Sequence, residues 1–84
     1  MNRKQQRTLE SVFARPVRAN IDWRDIESLL KALGAEVSAA EGSRVCVVLN
    51  GRTAIFHRPH PEKEAGKYMV RSVRGFLENA GVRP

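Results

Sequence analysis

Apolar residues along this chain fall into six stretches, and the spacing within each predicts an element. Leu9, Val12 and Phe13 recur at i, i+3, i+4, the stripe of an amphipathic helix. Pro16 disfavours the helical region for Arg15, so this helix should stop near Ala14, and its first few residues are expected to fray. Trp23, Ile26, Leu30 and Leu33, with Leu29 alongside, mark a second helix. Asp22 can cap it, Asp25 completes a shortened capping box, and Gly34 stops it at C′. Val70, Val73, Phe76, Leu77 and Ala80 make a third stripe, ended by Gly81.

Between the second and third helices the period falls to two. Residues 35–38 read as a short strand, and Glu41-Gly42-Ser43 as the turn that follows it. Then come two six-residue apolar runs, RVCVVL and RTAIFH, joined by Asn50-Gly51. A type I′ turn needs φ > 0 at both central positions, which makes Asn-Gly the strongest short-range hairpin signal. A two-residue turn also fixes register, with Leu49 opposite Arg52, Val47 opposite Ala54, Val45 opposite Phe56 and Arg44 opposite His57. One face then carries Val45, Val47, Leu49, Ala54 and Phe56, the expected core side because it holds the aromatic. The other carries Cys46, Val48, Thr53 and Ile55 and ends in the Arg44/His57 pair. An apolar centre with a cationic exit suggests a covered or ligand-contacting surface. Residues 59–66, with two prolines and a glycine, read as a loop.

The element order is therefore α-α-β-β-β-α: an α+β fold, with a small three-stranded antiparallel sheet covered by helices on one face. The 84 residues suffice for one core. Residues 1–20 are set apart as a basic helical extension and residues 21–84 as the main domain.

Charge changes the picture most. A net charge of +6 points to a polyanion as partner, since neutralising phosphates gives affinity independent of sequence. Arg3, Lys4, Arg7, Arg15 and Arg18 precede residue 20. Arg52, Arg58, Lys63, Lys67, Arg71 and Arg74 lie between residues 52 and 74, opposed there only by Glu62 and Glu64. This second cluster surrounds both histidines, His57 and His60. Lys67, Arg71 and Arg74 sit at the entry and in the first turns of the last helix, where cations oppose the macrodipole, and phosphate contact would offset that. Cations that hold phosphates beside an imidazole able to deprotonate a 2′-hydroxyl suit RNA. The same residues also fit a solvated basic loop.

Other chemistries find no support in the pattern. The histidines at 57 and 60 lack further ligands at metal-site spacing, so neither a metal nor a cofactor is expected. There is no Gly-rich phosphate loop and no nucleophile elbow. The single cysteine, Cys46, reads as a small buried hydrophobe, and Trp23 as core rather than a base-stacking platform. No run approaches the ~18 apolar residues of a membrane span, and no signal-peptide segment opens the chain, so a cytoplasmic protein without membrane contact is expected.

LLKALGAEV, then EGSRV, the hairpin, HRPHP and the final VRSVRGFLENAGV resemble, in that order, the HicA toxins of bacterial toxin–antitoxin pairs over about residues 22–82. The resemblance implies a fold like a double-stranded-RNA-binding domain, metal-independent mRNA cleavage, and neutralisation by a HicB-like antitoxin that covers the active surface. It also implies a catalytic histidine just after Gly-Ser, where this chain has Arg44. A second, less critical family histidine is matched by His60 in Arg58-Pro59-His60-Pro61, which makes His60 a further catalytic candidate. Three readings follow. The protein is an mRNA interferase in which His57, opposite Arg44, stands in as general base and Arg44 stabilises the phosphorane. Or it binds RNA without cutting it. Or it is an interaction module whose face of Cys46, Val48 and Ile55 meets an antitoxin-like partner.

Overall fold

The computed structural model describes residues 1–84, in the order α1 (Arg3–Val12), β1 (Ile21–Asp22), α2 (Trp23–Ala32), β2 (Glu36–Ala39), β3 (Arg44–Leu49), β4 (Arg52–His57), β5 (Glu64–Ala65) and α3 (Lys67–Asn79). The expected order holds, with one two-strand ladder added.

The start of α1 differs from the fraying expected of it. Asn2 accepts from the Gln5 backbone N–H, and the Gln5 side chain accepts in return from the Asn2 N–H, a reciprocal capping box. Asp22 caps α2 by accepting from the Arg24 N–H. The far ends of α2 and α3 close in the same way. Gly34 (φ +96°) and Gly81 (φ +82°) adopt the left-handed conformation at C′. The following residues, Ala35 and Val82, donate back to Leu30 and Leu77, so the last carbonyls find partners.

β2, β3 and β4 form one antiparallel sheet with β3 in the centre. The β3–β4 register runs from Leu49↔Arg52 to Arg44↔His57, as the Asn-Gly turn requires. Asn50 has φ +51° and Gly51 φ +78°, both positive as a type I′ turn demands. The Asn50 side chain also donates to the Ala80 carbonyl at 2.8 Å, which ties the turn to the end of α3.

Alternation then sorts the sheet. Val45, Val47, Leu49 and Phe56 are buried beneath α2 and α3 together with Trp23, Ile26, Leu29, Leu30, Val70, Val73, Phe76 and Leu77. Phe56 packs between Trp23 (ring centroids 5.9 Å apart) and Phe76 (5.8 Å), in tilted and edge-on contacts. The same core includes Leu9 and Val12, so α1 packs on it through its apolar stripe. The opposite face of the sheet has no helix over it: Val48 and Ile55 are exposed and Cys46 only half-buried, rather than the fully buried hydrophobe expected.

The segment read as pure loop contains β5. Ile21 pairs with Ala65 and Asp22 with Glu64. Two residues suffice here because Ile21 and Ala65 are both buried and the Trp23 N–H donates to the Lys63 carbonyl, extending the contact. The prolines lie outside the paired residues, so they remove no ladder hydrogen bond.

Candidate nucleic-acid interface

Arg44 and His57 face each other at the open end of the hairpin. The Arg58 N–H donates to the Ser43 carbonyl at 2.9 Å, so Ser43 and Arg58 are hydrogen-bonded partners and the preceding pair, Arg44/His57, lies between such bonds. Residues so placed have Cα atoms only about 4.5 Å apart and their side chains on the same face. Both are exposed, and with Glu41, Gly42 and Ser43 they line one shallow cleft. The Arg44 guanidinium leans toward the turn, its Nε 3.5 Å from the Glu41 carbonyl and Nη2 3.9 Å from the Glu41 carboxylate. Neither contact is short, and Arg44 is free to turn to an anion above His57.

His60 is not part of this cleft. It lines a separate depression with Asp22, Trp23, Arg24 and the 58–63 loop. The two histidines thus line different depressions although they stand only three positions apart in the chain.

Of the six cations assigned to a phosphate face, Arg52, Arg58, Lys63, Lys67 and Arg71 are exposed. Arg74 is not, which corrects the expectation for it. It is 8% exposed, and its guanidinium donates to the Val12 carbonyl at 2.9 Å and the Ala14 carbonyl at 2.7 Å. Both carbonyls lie at the end of α1, so Arg74 holds α1 to α3 and cannot also meet a phosphate. The signal was present in the spacing: Arg74 stands four residues after Val70 and three before Leu77, inside the apolar stripe.

Arg58 is also committed. Its Nε donates to Glu27 at 2.9 Å and its Nη2 to the other oxygen at 3.4 Å. The Trp23 indole N–H donates to Glu27 as well. Burial by itself would raise the Glu27 pKa, but the bonds from Arg58 and Trp23 outweigh it and hold the carboxyl below its ordinary value. Glu27 therefore fixes β4 to α2 from two sides, through Arg58 on the residue after His57 and through Trp23, which packs on Phe56 just before it. The i, i+4 spacing of Trp23 and Glu27 is the clue the sequence offers to the bond between them.

Cys46, Val48 and Ile55, expected to meet a partner, lie together on the uncovered sheet face. Cys46↔Ile55 and Val48↔Thr53 are, like Arg44↔His57, closely spaced pairs, so this apolar strip runs directly into the cationic cleft. No three His, Cys, Asp or Glu side chains converge as metal ligands would, and no helix is long and apolar enough to cross a membrane.

Compared with known proteins, the chain matches one family model, described as "HicA toxin of bacterial toxin-antitoxin", over residues 23–82, more than two thirds of its length. The match begins at α2 and ends beyond α3, leaving α1 outside it. No curated protein matches the chain, and neither does any solved structure.

Proposed function

The chain belongs to the HicA toxin family of bacterial toxin–antitoxin systems, and from that premise we propose that it is a toxin that binds and cleaves mRNA and is neutralised by a HicB-like antitoxin. The observation that carries the cleavage reading is the Arg44/His57 pair, which offers a base and a cation side by side on an exposed surface.

In the proposed reaction His57 takes the proton of an RNA 2′-hydroxyl. The oxygen attacks the adjacent phosphorus, and charge builds on the phosphorane oxygens, where Arg44 donates. The P–O5′ bond then breaks, leaving a 2′,3′-cyclic phosphate, and the departing 5′ oxygen takes a proton from water. Base and cation are sufficient for these steps, so a metal is not required. His60, in its own depression, serves this scheme as a contact to the flanking strand rather than as the proton donor. Lys63, Lys67, Arg52 and Arg71 hold phosphates. The apolar strip of Cys46, Val48 and Ile55 beside the cleft suits an antitoxin that covers the active surface. The place of action is the cytoplasm, where mRNA is found.

A second reading rests on Arg44 itself, which occupies the position of the family's usual catalytic histidine: the protein binds RNA, or its partner, without cutting. Induction of the wild type and of His57→Ala in growing cells separates the two. The account predicts growth arrest with loss of mRNA for the wild type and normal growth for the variant. Normal growth and intact mRNA with the wild type would favour binding alone.

A further inference from the structure

Tyr68 is the one aromatic side chain that the fold leaves outside. It is 82% exposed, whereas Trp23, Phe56 and Phe76 are buried and Phe13 packs at the edge of the core. It lies in the first turn of α3, next to Lys67 and one turn before Arg71, and both cations are exposed and take part in no ion pair. That turn contains no acid.

The helix by itself does not account for an exposed ring between two cations at this end. An exposed tyrosine buries nothing, and its helix propensity is below that of lysine or glutamate. Cations at this end oppose the macrodipole. The apolar stripe of α3 (Val70, Val73, Phe76 and Leu77) is buried in the core, so no broad apolar face remains to lie on a lipid surface. A single exposed ring between two unpaired cations matches another ligand chemistry: a flat base flanked by phosphates.

We propose that Tyr68 is a stacking platform for an unpaired RNA base, with Lys67 and Arg71 on the phosphates either side of it. The inference rests on the RNA reading above and narrows its substrate: stacking on a side chain requires a base splayed out of a helix, so this site selects single-stranded over duplex RNA. The hydroxyl has no role in stacking.

The test is binding of short fluorescein-labelled RNAs, single-stranded and duplex, with 2′-O-methyl groups throughout so that no cleavage occurs. Fluorescence anisotropy is read for the wild type, Tyr68→Ala and Tyr68→Phe, with circular dichroism as the folding control. Tyr68→Ala should weaken single-strand binding about tenfold and leave duplex binding and the salt dependence unchanged. Tyr68→Phe should bind like the wild type. Equal loss on both RNAs, no loss on either, or loss in Tyr68→Phe would overturn the platform while leaving RNA binding intact. If the wild type binds neither RNA but binds anionic phospholipid vesicles in a Tyr68-dependent way, the ligand is a membrane, and both this site and the RNA reading fall.

Discussion

Arg74 illustrates how a single buried cation can be mistaken for a ligand contact. Its charge and its place on a basic helix suggest phosphate; its apolar neighbours at i−4 (Val70) and i+3 (Leu77) put it in the core. There two carbonyls at the end of α1 take its protons. Removing the guanidinium leaves those carbonyls without their donor, as well as a void between helices. Arg74→Ala should therefore lower stability by about 3 kcal/mol, since bonds to a charged group contribute roughly 1.5–3 kcal/mol each and are only partly replaced by water. Urea unfolding checks this: the midpoint should fall with an unchanged slope. A change within error of zero would mean that α1 is not held through this residue. Arg44, His57 and Tyr68 are the reverse case, exposed residues whose positions burial does not explain.

At the scale of elements, the hairpin was legible from sequence and the connection after it was not. Asn50-Gly51 fixes the turn, the turn fixes the register, and alternation then assigns each side chain to a face; all three rules are local. The β1–β5 ladder depends instead on residues more than forty positions apart, and each strand is two residues long, too short for any periodicity. The Glu27–Arg58 contact was unreadable for a similar reason, because the two residues lie in different parts of the chain. That contact has a pH signature. The Glu27 pKa is lower in the folded protein than its ordinary value near 4.5, so its contribution to stability is complete above that value. It is lost as the pH falls through the lower folded pKa. Glu27→Gln should flatten the acid limb of the stability curve measured by urea unfolding at stepped pH, and be less stable than the wild type at neutral pH. Parallel curves at all pH values would remove Glu27 from the account.

For the whole molecule, three helices lie on one side of the sheet and none on the other. The sequence predicted this layering because only one hairpin face carries the aromatic. It did not decide whether the first helix was needed. Leu9 and Val12 sit in the same core as Val45 and Val73, and Arg74 bonds back to α1, although the family match begins only at residue 23. Deleting residues 1–20 would bare that apolar surface and free a buried guanidinium. The shortened chain should lose cooperative unfolding or aggregate, as urea titration and size-exclusion chromatography would reveal. Full cooperativity and unchanged stability would make α1 a dispensable extension. With the core side so completely covered, the uncovered sheet face is left as the surface on which the Arg44/His57 cleft and the apolar strip adjoin.

The central claim is that His57, across the hairpin from Arg44, supplies the base for RNA cleavage. The most direct measurement is incubation of a short 5′-labelled RNA with purified wild type and His57→Ala, in buffer containing EDTA, with analysis of the product ends. The account predicts fragments ending in 2′,3′-cyclic phosphate from the wild type and none from the variant, which still binds the RNA. Cleavage by the variant at the wild-type rate, or activity only when a divalent metal is restored, would contradict it.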